Sequence, residues 1–200
     1  MSAAYLAVGL GVALLVWTAF AFNALVYARS QLNEAWSGID VQLKRRHDLV
    51  PNLVETVSAY ADHETAVLQV LRESRDGAVA ASGRRGRQAA EQELSQAIGG
   101  VRVVSERYPE LRAAEPFRRL QAQVAEIEGE IQYSRRIYNS NVQRYNSRVC
   151  GFPGVLIARP GGFRAVGYFE LGPVLLNGAT ASEDTSEGGG DSAESSAAAA

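Results

Sequence analysis

The stretch that decides the fold is residues 117–145, FRRLQAQVAEIEGEIQYSRRIYNSNVQRY. Its apolar residues recur every three or four positions, which is the spacing of one face of an α-helix. They are Phe117, Leu120, Val124, Ile127, Ile131, Tyr138 and Tyr145. Because a helix with one apolar face must bury it against other elements, this stretch predicts a helical bundle.

Apolar residues follow the same spacing over 25–43, 53–71 and 94–104. Pro51 predicts a turn or a kink at 47–51, because proline lacks an N–H and disfavours a helical residue before it. Residues 76–86 contain three glycines and predict a flexible connection. Pro109 closes the third helix, and Pro116 begins the fourth in its first turn. The sequence therefore predicts an all-α protein, an up-and-down four-helix bundle. If Pro51 only kinks the chain, the alternative is a three-helix bundle with a long, kinked first helix.

The N-terminal segment 1–28 predicts a transmembrane helix. Residues 3–28 contain no charged side chain, and a bilayer needs about 20 helical residues. A cleaved secretory signal would need a positive leader, whereas only Met1 and Ser2 precede the apolar run. Basic residues lie only after the run, so the positive-inside rule predicts an N-terminus outside and a cytoplasmic bundle. We expect a single-pass membrane protein that contacts the lipid bilayer through residues 3–28.

The remaining chain divides into three parts: a bundle at 29–149, an irregular apolar arm at 150–178 packed on the bundle, and a disordered acidic tail at 179–200. The net charge of −2 hides this division. The tail holds five acids and no basic residue, whereas the middle holds all 20 basic residues and 17 acids, a charge of +3. Acids are mixed among the bases, so nucleic acid is not an expected partner. The single cysteine, Cys150, excludes an internal disulfide framework.

No motif for catalysis, a cofactor or a metal emerges. His63 and Glu64 begin a zinc-protease motif, but Val67 occupies the position of its second histidine. The densest basic run, 44–47, would lie about 24 Å beyond the span on a continuous helix. It is therefore interpreted as a solvated, partner-facing or intra-bundle charged cluster. The candidate interaction surface is Lys44, Arg45, Arg46, His47, Asp48, Asn52, His63 and Glu64.

Several motifs together resemble one family. The longest is the run 41–54, VQLKRRHDLVPNLV, preceded by Asn33-Glu34-Ala35-Trp36. The others are Tyr60–Glu64, Tyr108–Ala113, Arg135, Tyr138-Asn139, Tyr145-Asn146, Phe152-Pro153 and Tyr168–Glu170. In this pattern the chain resembles LemA family proteins from about residue 23 to residue 171. The resemblance implies a bacterial protein with one N-terminal span, an external N-terminus and an up-and-down four-helix domain, so the membrane expected is the bacterial inner membrane. It implies no established biochemical activity and no catalytic residues.

The sequence thus favours a membrane-anchored interaction or scaffold protein without catalytic activity, whose protein partner it does not identify. The alternative is a metal-binding or small-ligand-binding sensor at the membrane, with His47 and His63 as candidate ligands.

Overall fold

The computed structural model describes residues 2–170, except for the side chain of Ala3. The predicted tail at 179–200 and the last part of the arm, 171–178, lie outside the described residues. The helices are α1 (Ser2–Ser58), α2 (Thr65–Ala80), α3 (Gly83–Arg107), α4 (Pro109–Ala113), α5 (Glu115–Cys150) and α6 (Val155–Ala158).

Four long helices, α1, α2, α3 and α5, run alternately up and down. Arg84 of α3 bonds to Asn33 and Arg46 bonds to Ser95, so α1 and α3 run in the same direction. Asn141 of α5 donates to the carbonyl of Gln31 and Arg148 donates to that of Ala24, so α5 runs antiparallel to α1. Helix α1 packs mainly on α5, and α2 packs mainly on α3. The predicted all-α bundle behind an apolar N-terminal helix is confirmed.

Helix α1 continues through Pro51 to Ser58, so the turn considered at 47–51 does not form. Proline inside a helix costs about 3 kcal/mol, because it removes a hydrogen bond and crowds the preceding turn. Burial of the neighbouring apolar face offsets this cost, since Val50, Leu53, Val54 and Val57 all lie in the core. Pro51 itself lies on the exposed side of the helix. The predicted second helix is therefore the end of α1 together with α2.

The glycine-rich connection is much shorter than the sequence predicts. Helix α2 passes through Gly77 and ends at Ala80, and α3 begins at Gly83. Only Ala81 and Ser82 connect the two helices. Gly83 takes a φ of 71°, which a residue with a Cβ adopts at a steric cost, so this glycine permits the tight reversal.

The core consists of two apolar clusters stacked along the bundle axis. The lower cluster is next to the N-terminal span and runs from Leu25 to Leu43 on α1 and from Ile127 to Val149 on α5. The upper cluster lies beyond it, from Val50 to Val57 on α1 and from Phe117 to Leu120 on α5. Leu49 contacts both. The gap between them coincides with buried charged side chains, which are described below.

Among residues 2–170, α1 alone is long and apolar enough to cross a membrane. The folded domain packs around the end of the uncharged run, without a linker between the run and the bundle. Leu25 and Ala28 belong to the uncharged run and are buried in the lower cluster. One continuous helix therefore joins the apolar span to the bundle.

Two asparagines of α5 hold residues 166–169 against the bundle. The Asn139 side chain accepts a hydrogen bond from the N–H of Phe169 (2.9 Å) and donates to the same residue's carbonyl (3.1 Å). Asn146 makes the same pair of bonds with Val166, at 2.9 and 2.8 Å. The spacing of seven residues puts both amides on one face of α5. Each amide satisfies a backbone N–H and C=O that no sheet or helix would otherwise pair. Phe169 is thereby seated edge-on against Trp36, with ring centroids 5.1 Å apart.

Asn146→Asp tests this attachment. The substitution keeps the acceptor for Val166 N–H but turns a second oxygen toward the Val166 carbonyl, so one hydrogen bond is lost. We expect the free energy of unfolding to fall by about 1–3 kcal/mol, measured by urea titration in detergent. Trypsin should also cut faster after Arg164, which is followed by Ala165. The matched control is Asn52→Asp at an exposed position of α1. Equal stability and equal cleavage in the two variants would contradict the attachment.

Candidate functional site

The structure divides the eight candidate residues into three groups. Arg46 and His47 point into the bundle, and Arg46 is 1 % exposed. Arg46 therefore leaves the proposed interaction surface, and its position is that of an intra-bundle charged residue. Four neighbours on α1 are exposed and form a stripe, and two residues lie beyond the end of α1. The stripe is Lys44, Arg45, Asp48 and Asn52; the last two are His63 and Glu64.

Arg46 is the centre of a charged layer that spans the bundle from α1 to α3 and α5. Its Nη2 lies 2.9 Å from Glu128 Oε1 of α5 and donates to Ser95 Oγ of α3 at 2.7 Å. Its Nη1 lies 3.5 Å from Glu91 Oε2 of α3. His47 Nε2 donates to the other oxygen of Glu91 at 2.6 Å. We refer to Arg46, His47, Glu91, Ser95 and Glu128 as the charged layer.

The charged layer is buried, and burial changes the proton affinities of its members. Loss of solvation lowers the pKa of Arg46, against the attraction of Glu128 and Glu91. Loss of solvation raises the pKa of Glu128, and the neighbouring Glu91 carboxylate raises it further, while Arg46 opposes both. Removing Arg46 would leave two uncompensated carboxylates inside the bundle, which is far more costly than losing an exposed ion pair.

His47 belongs to the layer through Glu91. It is only partly exposed, and its Nε2 lies 2.6 Å from one oxygen of the fully buried Glu91 carboxylate, whose other oxygen faces Arg46. The layer therefore places two carboxylates beside one guanidinium, with the imidazole against Glu91.

The stripe lies between two grooves. A groove of about 320 Å³ separates it from α2 and is lined by Lys44, Asp48 and Arg75, among others. A second, of about 220 Å³, separates it from α5 and is lined by Arg45, Asp48 and Glu126, among others. Asp40, which lies one turn before Lys44 on α1, pairs with Arg87 of α3. The stripe is therefore an accessible mixture of positive, negative and amide groups.

His63 and Glu64 lie at the far tip of the bundle. Glu64 accepts bonds from Arg107 and from the Tyr108 hydroxyl, both at 3.2 Å, and so closes the tip onto α3. His63 is 90 % exposed and lies 3.5 Å from Asp62. Along α1, the rise from residue 47 to residue 58 alone is about 16 Å. The structure thus keeps His47 and His63 apart, and residues 2–170 contain no group of three or more potential metal ligands.

Glu91 and Glu128 are not among the candidate residues predicted from the sequence, although they belong to the layer and His63 and Glu64 do not. A signal was present. Glu128 follows Ile127 and precedes Ile131 by three positions on the apolar face of α5. Glu91 precedes Leu94 by three and Ile98 by seven on α3. An acid in helical register with an apolar stripe indicates a buried charge in need of a partner.

Glu128→Gln tests the electrostatics of the layer. A group whose pKa is raised on folding contributes stability at low pH, and this contribution is lost as pH rises through the folded-state pKa. Glu128 should therefore destabilise the fold as the pH rises above 4.5, which is the ordinary pKa of a glutamate side chain. Glutamine has the same shape and cannot ionise. We expect Glu128→Gln to gain in Tm relative to wild type progressively as pH rises from 4.5, measured by thermal unfolding.

Glu130→Gln, at an exposed position of the same helix, is the matched control. A Tm difference between Glu128→Gln and wild type that stays constant with pH would contradict the assignment.

Comparison with known proteins places the chain in a family. It is 22 % identical over 178 residues to magnetosome protein MamQ of Magnetospirillum gryphiswaldense. It is 23 % identical to magnetosome proteins MamQ 1 and MamQ 2 of Paramagnetospirillum magneticum. In all three cases the match covers 76 % of this chain and 65 % of the relative, so the chain spans about two thirds of these curated relatives. The model of the LemA family matches residues 35–175, which include the charged layer, the stripe and the attached arm. Because this match covers well over half of the chain, the protein belongs to the LemA family.

Proposed function

We propose that this LemA family protein is a membrane-anchored interaction module that holds a partner protein near the bilayer and has no catalytic activity of its own. The observation that carries the proposal is the continuity of α1, which is an apolar span at one end and the first bundle helix at the other. Because α1 would continue from the lipid into a packed core, every surface of the bundle would lie at a fixed distance from the membrane.

The chemistry of the charged layer supports a structural role. Arg46 and Glu91 are at most 1 % exposed, and their charges are directed at one another and at Glu128. Groups that act on a substrate must reach it, whereas these groups connect three helices. The layer therefore stabilises the surface that carries the function.

The partner-binding surface that we assign is the stripe Lys44, Arg45, Asp48 and Asn52. At 1.5 Å per residue, Lys44 lies about 24 Å along α1 from Ala28, which is beyond about a Debye length at physiological salt. Headgroup charges are screened at that distance, so the stripe is free to face a protein. Its two flanking grooves would accept side chains from a partner element.

We further propose that the bundle is cytoplasmic, on the inner membrane of a bacterium, with the N-terminus outside, because Arg29 and the arginines of the bundle follow the span.

In-cell photo-cross-linking of the full chain tests the stripe. A photoreactive residue at Asn52 should give a discrete cross-linked band, whereas the same residue at Arg72, exposed on α2, should not. Lys44→Glu/Arg45→Glu should reduce the Asn52 band by about tenfold or more, because like charges across an interface cost several kcal/mol. Arg46 is left unchanged, so the fold is preserved.

Arg72→Glu/Arg102→Glu is the matched control, since it reverses the same number of exposed charges elsewhere on the bundle. Equal bands from Asn52 and Arg72, or equal losses from the two double variants, would remove the stripe from the proposal.

A further inference from the structure

The loop after α5 exposes two large apolar side chains. Phe152 is 85 % exposed and Leu156 is 63 % exposed. The loop that carries them is itself well packed, since Ile157, Ala158 and Phe163 are buried in the lower cluster. Phe152 and Leu156 are therefore presented by a fixed support, and their exposure calls for a partner.

Three contacts determine the position of this loop along the axis of α1. Arg148 Nη1 donates to the carbonyl of Ala24 at 3.2 Å. The rings of Phe163 and Phe22 meet edge-on with centroids 5.6 Å apart. The guanidinium of Arg29 lies 6.0 Å from the centre of the Phe163 ring. The loop thus lies beside residues 22–29 of α1.

Residues 22–29 are where α1 should leave the hydrocarbon. About 20 helical residues cross a bilayer core. Counted from the start of the uncharged run at residue 3, the core ends at about residue 22. The uncharged run continues to residue 28, through the interfacial region. The loop and its two apolar side chains are therefore at the level where aromatic and aliphatic side chains enter lipid.

The charge around the loop complements an anionic surface. From residue 131 to residue 169 the sequence has six arginines and no acid. Arg144, Arg148, Arg159 and Arg164 of this set are exposed. Juxtamembrane arginines attract acidic headgroups, and apolar side chains beside them add insertion energy.

We infer that the 151–164 loop is a second membrane contact, in which Phe152 and Leu156 insert into the leaflet that α1 enters and the surrounding arginines bind anionic lipid headgroups. This inference rests on the membrane anchorage proposed above. The span and the loop contact the bilayer at two separate points. Two contacts hold the bundle against tilting, whereas a single helix does not.

The experiment uses the full chain in liposomes of mixed anionic and zwitterionic phospholipid. A nitroxide is attached to Cys150, the single cysteine, which is exposed beside the loop. Reference nitroxides are attached on a Cys150→Ser background at Val12→Cys, within the span, and at Val103→Cys, exposed on the upper part of α3. Collision rates are measured with oxygen, which concentrates in lipid, and with a polar nickel chelate, which stays in water.

We expect the nickel collision rate at Cys150 to be roughly tenfold lower than at Val103. Burial of one phenylalanine in lipid favours the inserted state over the exposed state by a factor of about ten or more. Oxygen collisions at Cys150 should remain high, as at Val12. Phe152→Ser/Leu156→Ser should restore nickel access at Cys150 with unchanged circular dichroism. Val70→Ser/Val79→Ser, which removes two exposed apolar side chains from α2, should not.

Equal nickel collision at Cys150 and Val103, with Val12 in lipid, would overturn the loop contact and leave the anchorage standing. A water-exposed Val12 would overturn the anchorage and the inference with it. Low collision with both reagents at Cys150, together with spin–spin broadening, would mean that a second copy of the chain covers the loop and would also overturn the inference.

Discussion

The rest of the structure depends on the ion pairs of Arg46 at the centre of the bundle. A guanidinium that is 1 % exposed is tolerated only when carboxylates are held against it, and here they come from two other helices. Because Glu91 and Glu128 must meet Arg46, the axial register of α1, α3 and α5 is fixed. A shift of any one helix by a turn, about 5.4 Å, would separate the charges. The apolar clusters on either side supply most of the burial energy, but contacts between aliphatic side chains tolerate shifts that a buried ion pair does not.

The charged layer also divides the bundle into two parts with different surroundings. The upper cluster is closed by Glu64 at the tip and has the features of an ordinary soluble bundle. The lower cluster includes residues of the uncharged run, the attached arm and the loop with Phe152. Since α1 runs through both parts, the exposed stripe beside the layer stands at a fixed distance from the apolar span. This geometry suits a protein that presents a surface near a membrane.

Much of the fold could be predicted from local pattern, and the failures have physical causes. The stripe of α5, the start at Pro116 and the uncharged run all depend on local spacing, and the structure contains them. Pro51 was misleading because the cost of an interior proline is local, whereas the burial that offsets it comes from helices distant in sequence. Arg46 was included in the candidate surface as part of the dense basic run 44–47, for which an intra-bundle position was one of the alternatives. Only the approach of Glu91 and Glu128, 45 and 82 positions away, makes its burial possible. The pairing of Asn139 and Asn146 with the arm could not be predicted from local spacing, because it depends on residues 20–30 positions later.

A double-mutant cycle measures whether the buried carboxylates stabilise Arg46. The free energies of unfolding of Arg46→Met, Glu128→Leu and the double variant would be compared with that of the wild type. Arg46→Met alone leaves two buried carboxylates and should cost about 3–5 kcal/mol. We expect that adding Glu128→Leu restores part of this loss, so that the double variant is more stable than Arg46→Met alone. A loss in the double variant equal to the sum of the single losses would contradict it.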